Sequence, residues 1–205
     1  MNLKNNPELL PLVEWWEKDG KQTLVLLAVA AVAVGGWYGW KAHRESVRRA
    51  AAEALVNSHT VEELEDSVSR FSGKAQEGVL RMRLAKSYYD EGRFQEAMDV
   101  YEALSANPPD GFADIPAVGK AQCLEGLGRF AEAAAAFDAF AEANPKSFLL
   151  LTAQLGAARS YAQAGDVKKG LARLDALKTA KKDDDQAVAR IEATESCLRR
   201  FGKKK

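Results

Sequence analysis

Gly92-Arg93-Phe94-Gln95-Glu96-Ala97 returns as Gly128-Arg129-Phe130-Ala131-Glu132-Ala133, 36 residues further on, and Pro109 returns as Pro145 at the same offset. A weaker third copy, Gly165-Asp166-Val167-Lys168-Lys169-Gly170, begins 37 residues after the second. A fixed period of this length marks stacked supersecondary units, none of which can bury its apolar face alone. In each copy a large residue stands four places after the small one: Tyr101 after Ala97, Phe137 after Ala133, Leu174 after Gly170. The pattern reads as helix, tight turn, helix. Glycine ends the first helix where the backbone needs positive φ. The small residue lets the second helix cross the first closely, and the large one fills the gap against the next unit. The expected fold class is therefore all-α, with three such units over residues 74–181 forming an α-solenoid.

Outward from the repeats, the last unit needs a cap with a polar outer face. Asp184 to Phe201 supplies one, with Ala187, Ile191, Thr194, Cys197 and Leu198 along one side and Lys178 to Asp183 as its linker. Residues 182–205 are thus a C-terminal capping helix followed by a basic tail, Lys203-Lys204-Lys205, read as a solvated end. On the amino-terminal side, residues 41–73 form a helical connector. Its first helix runs from Lys41 to Asn57. Thr60 and Glu63 then have capping-box spacing and open a second helix, with Val61, Leu64, Val68 and Phe71 on one face until Ser72-Gly73 stops it.

Residues 23–40, TLVLLAVAAVAVGGWYGW, carry no charge. At 1.5 Å per residue they reach about 27 Å, close to the hydrocarbon thickness of a bilayer. Trp37, Tyr38 and Trp40 gather at one end ahead of Lys41 and Arg44, as an aromatic belt and snorkelling cations would, and Trp15 and Trp16 precede the other end. The stretch reads as a transmembrane helix. A cleaved secretory signal is disfavoured by the long acid-containing leader and the bulky residues at the far end. Ala31, Gly35 and Gly39 fall four apart and form a small-residue ridge for membrane helix packing. Residues 1–22 are a short N-terminal segment in which Leu9, Leu10, Leu12, Val13, Trp15 and Trp16 suggest a piece lying on the membrane surface.

The repeat resembles the tetratricopeptide repeat, whose W-x2-L-G-x2-Y…A-x3-F…P pattern is legible in Leu84-Ala85, Tyr88, Ala97, Tyr101 and Pro109. Arg81 stands where that pattern has tryptophan, Leu124 replaces the tyrosine in the second copy, and the third copy lacks the central alanine and the closing proline. The membrane end is similar to a second family. Trp15-Trp16-Glu17-Lys18-Asp19-Gly20-Lys21 before the span and Gly36-Trp37-Tyr38-Gly39-Trp40-Lys41-Ala42-His43 after it resemble the YfgM-type ancillary subunit of the SecYEG translocon. That resemblance implies a bacterial inner-membrane protein with a cytoplasmic amino end and a periplasmic repeat domain. It also implies the translocon, periplasmic chaperones or client polypeptides as partners. Charge does not select the side: Lys4, Lys18 and Lys21 precede the span, while Lys41, Arg44, Arg48 and Arg49 follow it. A repeat domain facing the cytoplasm is the rival topology.

Basic and acidic residues balance at 29 each, so no field argues for nucleic acid. The histidines, His43 and His59, have no second ligand at helical spacing, and no phosphate loop, dinucleotide fingerprint or nucleophile elbow occurs. No catalytic residue, cofactor or metal site is expected. Asp183-Asp184-Asp185 reads as a dipole complement at a helix start, and Cys123 and Cys197 read as small buried apolar positions. Protein binding remains, with membrane lipid as the surroundings of the span. The groove wall should come from the first helix of each pair: Met82, Val118 and Leu155 fifteen places before the small residue, Lys86, Gln122 and Arg159 eleven before, Tyr89, Glu125 and Ala162 eight before. The expected function is a membrane-anchored, non-enzymatic adaptor. The alternative is a structural scaffold of another envelope complex, or a homodimer formed through the span.

Overall fold

The computed structural model describes residue 11 and residues 15–202. Leu9, Leu10, Leu12, Val13 and the Lys203–Lys205 tail lie outside the described residues. Two compact units make up the chain, Met1–Glu53 and Ala54–Lys205.

In the first unit a π-helical turn, Trp16–Gly20, leads into helix α1 (Lys21–Asn57), whose last residues pass into the second unit. No proline interrupts α1, and Thr23 ties its first turn back by donating from Oγ1 to the Asp19 carbonyl at 3.0 Å. Lys18–Asn57 is long and apolar enough to cross a membrane: its best 18-residue window has a mean hydropathy of 1.7, and 0% of that window is buried within the chain. Leu26, Val29, Val32 and Val34 are all exposed. Each such side chain forgoes roughly 1.5–3 kcal/mol available from burial. At the end of this apolar run the Trp37 and Trp40 rings lie 5.5 Å apart, and the Arg44 guanidinium sits 4.7 Å from the Trp40 ring.

The second unit is helical throughout its described length. Helix α2 (Val61–Arg70) is followed by three pairs: α3 (Glu77–Asp90) with α4 (Phe94–Ala106), α5 (Asp114–Gly126) with α6 (Phe130–Ala143), and α7 (Leu150–Gln163) with α8 (Val167–Ala180). Helix α9 (Asp185–Gly202) packs on α8 and α7. Each helix packs on its chain neighbours, so the unit is an α-solenoid of the tetratricopeptide type, and its core runs as successive apolar clusters along the stack.

The repeated motif sets the turn between the helices of a pair. Gly92, Gly128 and Gly165 have φ of 78°, 74° and 108°, as a helix ending in the left-handed region requires. The next amide closes the turn in the same way each time: Arg93 N to Tyr88 O, Arg129 N to Leu124 O and Asp166 N to Tyr161 O, all at 2.9 Å. The arginine of each Gly-Arg-Phe then grips the glutamate three places on through two N–H groups. Arg93 donates to Glu96 at 2.9 and 2.5 Å, and Arg129 to Glu132 at 2.8 and 2.5 Å. The third copy has lost this pair and caps differently: the Asp166 carboxylate accepts from the Lys169 amide at 2.9 Å.

The large residue after the small one forms the joint between units. A Cβ at Gly119 on α5 would lie 2.6 Å from the Tyr101 ring of α4, and one at Gly156 on α7 would lie 2.6 Å from the Phe137 ring of α6. Both rings are buried, so neither can move aside. The departure of the third copy from alanine has a cause too. A Cβ at Gly170 would lie 2.5 Å from the Ala158 carbonyl oxygen, so α8 approaches α7 too closely for any side chain.

Helix α2, within the region expected to be a connector, sits in the register of a second helix. Tyr88 on α3 donates its hydroxyl to Glu65 on α2, and Tyr161 on α7 donates to Asp138 on α6 at 2.7 Å. Tyr88 and Tyr161 are 73 residues apart, and so are Glu65 and Asp138. Leu64 is buried with Leu84, Ala85 and Tyr88, the role that Tyr101 and Phe137 play later. The Thr60–Glu63 capping box that starts α2 is fully formed. The solenoid therefore opens with half a unit.

Two outcomes follow from this packing. Gly156→Ala gains about 1 kcal/mol of helix propensity but overpacks a rigid ring at a cost of about 1–3 kcal/mol. The urea midpoint of the full chain, followed by circular dichroism, should fall; an unchanged or raised midpoint contradicts the joint. Burial first, and then the Glu65 hydrogen bond, pushes the Tyr88 phenol up to about 12, and burial pushes Tyr101 up to about 12. Raised phenols stabilise the fold fully below their unfolded value of about 10 and lose that contribution as pH climbs to about 12. Phenolate absorbance in native protein should therefore lag that in urea across this window.

Candidate protein-binding groove

Met82 and Tyr89 are half-buried on α3 and pack against the first core cluster, while Lys86 is exposed and bridges to Asp90 of its own helix at 2.5 Å. Tyr89 meets Phe94 edge-on, with ring centroids 5.2 Å apart, and a Cβ at Gly126 would lie 2.5 Å from Phe94. Phe94 thereby joins the first helix pair, α3 with α4, to the second, α5 with α6. Gln122 is half-buried on α5.

Glu125 on α5 and Arg159 on α7 find one another across the units. The guanidinium donates to both carboxylate oxygens at 2.9 and 2.7 Å, the two-pronged geometry that suits this pair of groups. The bond to Glu125 holds Arg159 above its ordinary range, and burial, with Glu125 nearby, raises the Tyr89 phenol. Tyr89, Glu125 and Arg159 therefore form an electrostatically connected row across α3, α5 and α7.

Not every expected wall residue faces outward. Val118 and Leu155 are only 3% and 4% exposed. Val118 lies in the cluster around Phe137, and Leu155 lies against Ile191 and Leu198 of the capping helix. Ala162 is buried in the same cluster. These three are corrected from wall to core: Val118 packs into the cluster around Phe137, and α9 covers the last helix pair at Leu155 and Ala162. The usable wall is polar and aromatic, and Met82 alone keeps the apolar row at the surface. Cys197 is a second correction, being exposed where burial was expected. It precedes Leu198 by 100° around α9, and Leu198 takes the inward position with Ile191. Cys123 is buried, and burial pushes its thiol up to about 11.

Two surface features went unnoticed in the sequence. Asp138 receives both the Tyr161 hydroxyl and Arg173, tying α6, α7 and α8 together. Phe112 and Phe148 are 40% and 70% exposed in successive loops between units. The signal for the second was present, since they stand 36 residues apart. In the first unit Ala31, Gly35 and Gly39 are exposed, and a Cβ at either glycine would meet nothing within 4 Å. Among the described residues no three His, Cys, Asp or Glu side chains gather as a metal site.

Comparison with known proteins agrees with this geometry. Residues 80–110 and 118–147 match the family model of the tetratricopeptide repeat. A crystal structure of a single-substitution variant of the nearly identical tetratricopeptide-like repeats of a kinesin light chain candidate from Podosopora anserina is similar in fold, with 18% identity and a TM-score of 0.59. The similarity covers 80% of this chain and 87% of that one. The same protein without that substitution gives a TM-score of 0.58 at the same identity and coverage. No curated protein matches the chain.

The exposure of the two thiols gives a direct check of how α5 and α9 are packed. A thiol-reactive disulfide reagent should modify Cys197 in the native protein and reach Cys123 only after unfolding. Two fast-reacting native thiols would contradict the packing of α5.

Proposed function

We propose that the chain is a membrane-anchored protein-binding adaptor in which α1 crosses a bilayer and the groove of the repeat unit holds segments of other proteins. The observation that carries this reading is the row Tyr89, Glu125, Arg159: partly exposed, mutually oriented, and built from the first helices of successive units. Tetratricopeptide repeats support an interaction role, and nothing in the residues calls for a reaction. The wholly exposed apolar window of α1 supports the anchor, because lipid is the solvent in which such a surface costs nothing.

The finer assignment is ancillary service to the Sec translocon, linking it to periplasmic chaperones or clients, with the amino end cytoplasmic and the repeats periplasmic in a bacterial inner membrane. It rests on the flank resemblance at Trp15–Lys21 and Gly36–His43. The second reading, a scaffold or homodimer joined through the span, is favoured by the open ridge at Gly35 and Gly39. Cross-linking through Gly35→Cys separates the two, since self-association gives a homodimer and docking gives a product of mixed composition.

Purification of the detergent-solubilised chain should recover translocon subunits or periplasmic chaperones. Tyr89→Ala should cut their yield about tenfold, the scale of losing an aromatic anchor. Equal recovery with the variant, measured by quantitative mass spectrometry, contradicts the groove. A reporter that works only outside the cytoplasm, fused after Lys205, should be active; an inactive fusion reverses the sides.

A further inference from the structure

Just beyond the apolar run, α1 carries four cations within nine residues, Lys41, Arg44, Arg48 and Arg49, and one carboxylate, Glu45. All four cations are exposed. At 100° per residue Trp37, Lys41, Arg44 and Arg48 fall within a sector of about 60°, so an indole and three cations line one face. At 1.5 Å per residue Lys41 and Arg44 lie about 1.5 and 6 Å past Trp40, within a headgroup layer about 5–8 Å deep, and Arg48, about 12 Å past it, reaches that layer with its long side chain.

The contacts leave Lys41 and Arg44 unneutralised and Arg48 only loosely paired. Glu45 lies 3.4 Å from Arg49 and 3.8 Å from Arg48, whose side chains are 76% and 71% exposed. Among the described residues no carboxylate comes within 4.0 Å of Lys41 or Arg44. Arg44 rests against the Trp40 ring at 4.7 Å, which fixes its guanidinium beside the aromatic end of the apolar run. A planar fork next to an ammonium suits phosphodiester oxygens, which accept two N–H bonds and carry one negative charge.

We propose that Lys41, Arg44 and Arg48 form a binding face for the headgroups of anionic phospholipids, so that the chain gathers acidic lipid around the end of its span. The inference rests on the reading of α1 as a membrane helix and adds a chemical preference to it. Bilayer phosphate is the occupant because the face begins at an indole belt and lies at headgroup depth.

The test reconstitutes the full chain into vesicles of phosphatidylcholine, or of phosphatidylcholine mixed with phosphatidylglycerol, carrying spin-labelled versions of either lipid. Motionally restricted label should favour phosphatidylglycerol by about fivefold or more, since each cation near a surface contributes about that factor. The preference should shrink with added salt as screening shortens. Replacing all three cations, K41Q with R44Q and R48Q, should abolish it while insertion persists. A chain that inserts but restricts both lipids equally, or whose preference survives the triple replacement, overturns the headgroup face alone. A chain that remains aqueous with both vesicle types overturns the membrane helix and this proposal with it.

Discussion

The contact on which the repeat unit depends is a ring pressed against a missing side chain. Tyr101 over Gly119 and Phe137 over Gly156 convert each helix pair, which has no complete core of its own, into part of a continuous one. Close packing makes such a joint specific, because a well-filled interior has no room to absorb even one methyl group. The spacing of the joint fixes the period. Once each aromatic must reach a glycine of the following helix, the intervening loops have little freedom in length.

Much of this was legible before any coordinates. The three turn glycines, the small residue and the large residue after it recur at fixed offsets, and each does in space what its type suggests. What stayed hidden depends on what each helix meets beyond its own pair. Val118 and Leu155 share a register position with the half-exposed Met82 but are buried, in the Phe137 cluster and against α9 respectively, and the one-dimensional pattern does not record those neighbours. The Glu125–Arg159 pair escaped for a related reason, since its 34-residue separation differs from the repeat period and joins unlike positions of adjacent units. Helix α2 went unread as half a unit because it lacks the turn glycine, and the Tyr88–Glu65 bond and the burial of Leu64 reveal its register.

The groove gains its character from how these charges are satisfied. The Glu125 side chain is only 11% exposed and the Arg159 side chain 37%, so each relies on the other more than on water. A buried carboxylate without its guanidinium would be costly, which ties the second and third helix pairs together. Some cations elsewhere are held by close neighbours in sequence, as Lys86 is by Asp90, and such pairs contribute little at an exposed surface. A polypeptide laid along this wall would meet hydrogen-bonding groups held in place around an aromatic ring, with little greasy area to bury.

The half unit at one end and the lone helix at the other have a consequence for crowding. Glu62, Glu63, Glu65 and Asp66 are exposed on α2, and Gln186, Arg190, Glu192 and Arg200 are exposed on α9. Neither terminus offers the ring-and-glycine joint that welds one unit to the next. Copies brought to high density therefore meet charged end helices, and head-to-tail growth has no such joint to build on.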